Sequence, residues 1–223
     1  MRLKHLVLLF IVAFVINSCN IQLGGKFDEG IIEYDLKYLE DENKNPIISL
    51  LPTTMSFQFK DNNCIQSVEG WMGIFKMGGI YNNDEQITTA FLKIMADKYI
   101  YQGNSAFGYN EYPDMKIEFT DETKEIAGFK CKKVNIIIPD SEIENFSVYY
   151  TDKINLENAN LFNPFKEIPG VLLEFQYEMF DITTSLTATR VEQIEITDET
   201  FDLPVGFKNV SKEEMEEVIN NLM

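Results

Sequence analysis

The chain has 223 residues, with 19 Lys and Arg against 36 Asp and Glu, a net charge of −17, and a single histidine. This acidity excludes nucleic acid as a partner, because affinity for phosphate comes from basic side chains that release counterions, and it disfavours flat binding to an anionic membrane. The histidine is His5, in a segment read below as a removable signal, so Ser-His-Asp and Cys-His nucleophile systems and imidazole metal sites are closed to the rest of the chain.

Carboxylate pairs or a Ser-Lys arrangement at catalytic spacing are not found either, so the expectation is a protein that is not an enzyme and uses no cofactor or metal.

At the N-terminus, Arg2 and Lys4 precede an unbroken apolar run over residues 6–16, followed by Asn17-Ser18-Cys19. This is the layout of a secretory signal, since a bilayer core of about 30 Å takes about 20 apolar residues to cross. Ile16-Asn17-Ser18-Cys19 resembles a bacterial lipobox, which implies cleavage before Cys19 and a diacylglyceryl group on its thiol. Two acyl chains anchor stably where one binds only marginally. The expected organisation is a signal peptide over 1–18, a tether over 19–26 and one domain over 27–223, touching the membrane through the lipid on Cys19.

From Phe27 the pattern has the period of two of half-buried strands. Ile32, Tyr34, Leu36 and Tyr38 alternate with Glu33, Asp35 and Lys37, and Met55, Phe57 and Phe59 alternate with Ser56, Gln58 and Lys60. Between them, residues 46–52 are an ambiguous apolar piece. Asp61-Asn62-Asn63 reads as a turn into another strand reaching Val68. Residues 70–79 break the rhythm with four glycines among Trp71, Met72, Ile74, Phe75 and Met77. They are expected as a loop tucked over the core or, alternatively, as a lip on an apolar cavity, in which case Trp71 and Met77 touch ligand.

Further strands are expected at 86–95, 98–102, 115–120 (Met115, Ile117 and Phe119 inward), 129–138 and 146–151. The intervening loop 103–113 carries Phe107, Tyr109 and Tyr112, rings that either close off the core or stack on a sugar. Asp140, Glu142 and Glu144 lack the glycine and ligand spacing of an EF-hand and read as a solvated turn. The clearest strand runs from Val171 to Met179, with Leu173, Phe175, Tyr177 and Met179 on one face. A second long strand over 183–197 carries Arg190 in the parity of Leu186 and Ala188, so its charge must meet a ligand anion or an acid such as Glu192.

Cys64 and Cys131 remain after lipidation of Cys19. An oxidising compartment permits a disulfide between them, while the parity of Cys131 with Phe129 points inward and makes a buried free thiol the simpler expectation. The chain ends in a helix: Ser211 with Glu214 forms a capping box, and Met215, Val218, Ile219 and Leu222 make one apolar stripe, which must lie against something.

Several phrases carry a resemblance: Gly30-Ile31-Ile32-Glu33-Tyr34, the run from Ile126 through Ala127-Gly128-Phe129-Lys130-Cys131, Ile168-Pro169-Gly170-Val171-Leu172-Leu173, Thr187-Ala188-Thr189-Arg190, and Leu203-Pro204-Val205-Gly206-Phe207. Together they are similar to the GLPGLI-type lipoproteins of Bacteroidetes and, beyond them, to the outer-membrane lipoprotein carriers LolA and LolB. The naming phrase departs from the family pattern, reading Ile-Pro-Gly-Val-Leu-Leu. The resemblance implies a mainly β fold, an open half-barrel of curved antiparallel sheet with loops and helices over its concave side and a C-terminal α-helix. It implies no catalytic residues.

On this reading the protein is an envelope lipoprotein of the outer membrane, on the periplasmic side, holding lipid or another apolar molecule against Met55, Phe57, Phe59, Trp71, Met77, Phe175, Tyr177 and Met179, with Arg190 as the polar candidate. The alternative is an interaction protein with a filled core, binding a glycan or a partner protein through its aromatic loop.

Overall fold

A computed structural model describes residues 26–104, 107–110, 112, 114–139 and 145–222, apart from the side chain of Trp71. The signal segment, Cys19 and the acidic turn at Asp140, Glu142 and Glu144 lie outside the described residues.

The alternating patterns become two antiparallel meanders. The first is β1 (Glu29–Tyr38), β2 (Thr54–Lys60), β3 (Asn63–Gly70), β4 (Phe75–Asn82), β5 (Ile87–Ile94) and β6 (Asp97–Gly103). The second is β7 (Lys116–Ile126), β8 (Phe129–Ile137), β9 (Phe146–Thr151), β10 (Val171–Met179) and β11 (Ile182–Glu192). Antiparallel pairing of β1 with β11 joins them, and β12 (Lys208–Asn209) adds in parallel to β6, giving one open sheet in the order β12-β6-β5-β4-β3-β2-β1-β11-β10-β9-β8-β7. Three hairpins close through two-residue turns with both central residues at positive φ: Asp61-Asn62, Ala127-Gly128 and Phe180-Asp181. Turns of this hand match the twist of the strands they join.

The sheet curls. β2 and β8 stand five positions apart, about 24 Å in a flat sheet, yet the ring of Phe27 lies 5.8 Å from Phe59 on β2 and 6.1 Å from Phe129 on β8. The inner face carries Ile32 and Tyr34, Met55 and Phe59, Val134 and Ile136, and Leu173 and Phe175 in a single core.

Against one part of this face lies the segment between β9 and β10, through Ile154, Leu156, Phe165 and Ile168. The buried Asn160 amide holds it in shape by donating to the carbonyls of Ile168 and Gly170 at 2.8 and 3.0 Å. Against another part lies helix α1 (Lys212–Asn220), whose Met215 and Ile219 pack with Phe75 and Leu92. Ser211 Oγ accepts from Glu214 N at 3.1 Å, as expected of the cap, while the Glu214 carboxylate turns to Lys208 Nζ at 2.6 Å instead of completing the box. Among the described residues no helix is long and apolar enough to cross a membrane.

Three expectations need correction, and one ambiguous piece is resolved. Only residues 71–74 of the glycine-rich stretch leave the sheet, Trp71–Gly73 as a short 3-10 turn, and residues from Phe75 onward form β4. Its glycines serve close approach: a Cβ on Gly78 would lie 2.7 Å from the Phe91 ring, and one on Gly79 2.5 Å from the Tyr81 hydroxyl. The ambiguous 46–52 piece is a 3-10 turn over Pro46–Leu50. β11 ends at Glu192 rather than continuing to 197. Phe119 pairs with Val134, but on the edge strand β7 it stays 55% exposed.

Candidate functional site

Between α1 and the segment preceding β10 the inner face is left partly uncovered, and two adjoining hollows lie there. The larger holds about 950 Å³ of empty space counted out to its open mouth, the smaller about 560 Å³. β1, β2, β10 and β11 supply Leu36, Met55, Tyr177, Met179 and Ile182 to the larger one. Strands β3 to β5 supply Val68, Phe75, Met77 and Ala90, and α1 contributes Met215 and Ile219.

These positions follow from strand parity. Val68 pairs with Met77 and Met77 with Leu92, and Tyr177 pairs with Thr184, so each falls on the face turned inward. Tyr38, Leu51, Pro52, Phe75, Met179 and Ile182 place the larger hollow towards the end of the sheet where β1 finishes and β2 begins. The turns at that end present exposed apolar side chains: Leu39, Leu50, Met72, Ile74 and Met95.

The sequence candidates divide accordingly. Met55, Met77, Tyr177 and Met179 line the larger hollow, and Phe57 and Phe175 the smaller, which Met55 also reaches. Phe59 is fully buried against Phe27 and Phe57 and lines neither, because its position beside the start of β1 falls under the Phe27 ring. Trp71 stands in the 3-10 turn and its side chain is outside the described residues.

Arg190 is turned away from the hollow. β11 carries one extra residue, Thr189, where Ala188 faces Tyr34 and Arg190 faces Glu33. This bulge reverses the parity expected from Leu186 and Ala188, and Arg190 pairs on the outer face with Glu33 and Glu192. Cys64 and Cys131 are separate buried free thiols rather than a disulfide, and burial pushes them up to about 12 and about 11 respectively.

A polar group that periodicity alone did not single out sits at the partition. Gln66 occupies the apolar parity of β3 between Cys64 and Val68, opposite Phe57 and Gly79, and with Tyr81 it lines both hollows. Its Nε2 donates to the hydroxyls of Tyr81 at 2.6 Å and Tyr109 at 2.8 Å. Tyr109 in turn packs edge-on against Tyr177, ring centres 4.9 Å apart. The sequence signal was available: a lone amide in an inward position must find partners.

Burial drives the Tyr81 and Tyr177 phenols well above their usual value. It also raises Tyr109, partly offset by the hydrogen bonds from Gln66 and Tyr81. The group is therefore uncharged at any physiological pH. It can exchange hydrogen bonds and cannot balance an ion.

The aromatic loop belongs to this interior. Phe107 packs on Tyr101 and Phe180, Tyr109 joins the Gln66 group, and the Tyr112 hydroxyl is buried. Phe180 lines the larger hollow from a turn position at φ 48°, a conformation that suits Asn or Gly better than an aromatic residue, and Gly108 gives its ring room. All three rings are half-buried and pack against the core rather than standing free in solvent.

Among the described residues no cluster of three or more Cys, His, Asp or Glu side chains is placed to hold a metal ion. No protein-family model matches the chain, and no curated protein is detectably similar to it in sequence.

Proposed function

We propose that the protein is a bacterial envelope lipoprotein, fastened through Cys19 to the outer membrane on its periplasmic side, whose curled sheet carries an apolar molecule such as a lipid acyl chain and performs no catalysis. The observation that carries this reading is the larger hollow, partly open and lined by Met55, Met77, Ala90, Tyr177 and Met179. Well-packed interiors leave few voids larger than a water molecule, and ligand sites typically have mostly apolar walls with a few placed polar groups, as this hollow does. The open mainly β sheet with its C-terminal helix is also the architecture that the resemblance to GLPGLI-type and LolA-like proteins implies.

The test is native mass spectrometry on protein extracted from its own membrane in a mild non-ionic detergent. The expected result is a mass increment from a bound apolar molecule, together with a chain that begins at a diacylated Cys19. A chain free of bound mass, or one that starts elsewhere, counts against the respective half of the reading.

A further inference from the structure

We infer that the larger hollow selects an uncharged ligand, a neutral glyceride or ester, and discriminates against free fatty acids and other anionic amphiphiles; this rests on the reading that the hollow binds an apolar molecule. Among the described residues no charged side chain lines it. The internal residues left undescribed, at 105, 106, 111, 113 and 140–144, include no Lys, Arg or His. The lysines of the adjacent strands, Lys76 and Lys93, alternate with Phe75, Met77 and Leu92 and so project to the outer face. Lys93 Nζ donates to Gly73 O at 2.7 Å, and Lys76 lies over the Phe91 ring.

A carboxylate carried into such walls loses its hydration and meets no counter-ion, which costs far more than burying a hydrogen-bonded neutral group. The net charge of −17 adds repulsion at longer range. What the walls do offer is the neutral amide and phenol group at the partition. Gln66 and Tyr81 stand on the wall of the larger hollow, and the Gln66 amide donates to the hydroxyl of Tyr81 at 2.6 Å and to that of Tyr109, which lines the smaller hollow, at 2.8 Å. With both amide protons of Gln66 given to phenols, the group can accept from a ligand hydroxyl, as on a monoglyceride, through the Gln66 carbonyl or a phenol oxygen at the inner end of an otherwise apolar molecule.

The experiment is competition native mass spectrometry of the full chain in non-ionic detergent, offered equimolar 1-monolaurin and laurate in 0.5 M salt, where the Debye length of a few ångströms removes long-range repulsion. At pH 8 monolaurin is expected to be at least tenfold more occupied. At pH 5.5, where a carboxyl of ordinary pKa regains about a tenth of its neutral form, the ratio is expected to fall at least tenfold. Laurate bound as well as monolaurin at pH 8, or a ratio independent of pH, overturns the inference. Failure of both to bind at either pH overturns the proposed function beneath it.

As a second arm, Gln66→Leu is expected to weaken monolaurin at least fivefold while leaving dodecane within twofold of the unaltered protein. Equal losses for both would overturn the assignment of the ligand's polar end to Gln66.

Discussion

Arg190 grips Glu33 across the join between the two meanders with two bonds, Nε to Oε2 at 3.0 Å and Nη2 to Oε1 at 2.5 Å. The pair exists because Thr189 is supernumerary on β11, so a feature that looks like a ligand-binding arginine is instead an outer-face clasp. Arg190→Met is expected to leave ligand occupancy unchanged and to lower the urea midpoint only slightly, as exposed ion pairs do. The guanidinium holds the Glu33 carboxyl below its ordinary value. The stabilisation is therefore present above the usual carboxylate pKa and is lost as pH falls through the lowered one. Urea titrations of both proteins at pH 7 and pH 3 should show the difference closing at the acid end.

Filling the hollow separates binding from folding. Ala90 is buried on the lining between Thr88 and Leu92. Ala90→Leu is expected to displace the bound apolar molecule, read as lost mass in native spectrometry, while changing stability by less than about 1 kcal/mol or raising it. A fall of several kcal/mol would mean the space was already occupied by protein atoms.

The helix is a structural wall of the site. Met215 is fully buried against Phe75 and Leu92. Met215→Ala is expected to cost about 2–5 kcal/mol, and Ser211→Ala, which removes the cap on Glu214 N, about 1 kcal/mol. Chemical denaturation measures both, and the order of the two effects is the discriminating result.

Alkali should find the buried thiols. Cys64 is raised to about 12 and Cys131 to about 11, both by burial first, against about 8.5 in an unfolded chain. Each contributes stability that is intact below pH 8.5 and is lost as pH climbs towards the folded value, because only the unfolded state releases the proton early. The melting temperature is therefore expected to hold from pH 6 to 8 and to decline from pH 9 to 11. A thiol reagent at pH 8 should label neither Cys64 nor Cys131 until denaturant is added.

How much of this could be read from the residues varies with the kind of position. β1 and β2 were legible because their oily residues alternate, β8 and β10 because they alternate over most of their length, and α1 because Ser211 and the stripe at Met215, Val218, Ile219 and Leu222 write its start and its face. β4 was not, because Gly78 and Gly79 resemble loop residues until the rings of Phe91 and Tyr81 are seen to lie over them. The outward turn of Arg190 depends on a one-residue bulge, and parity cannot reveal which of two paired strands carries the extra residue.

At the site, six of the eight apolar ligand candidates line a hollow. The group that gives it chemical character, Gln66 with three tyrosines, is assembled from β3, β4, β10 and the loop before β7, a convergence that no single stretch announces.

A sheet that curls without closing has two free margins, and each invites another chain to add on. β12, two residues long, covers the β6 side. On the other side β7 displays Lys116, Glu118, Asp121, Glu122, Lys124 and Glu125 along its length and breaks its register after Phe119. Charge and irregularity of this kind make a poor template for a foreign strand. The β7 margin therefore discourages edge-to-edge pairing along its whole length.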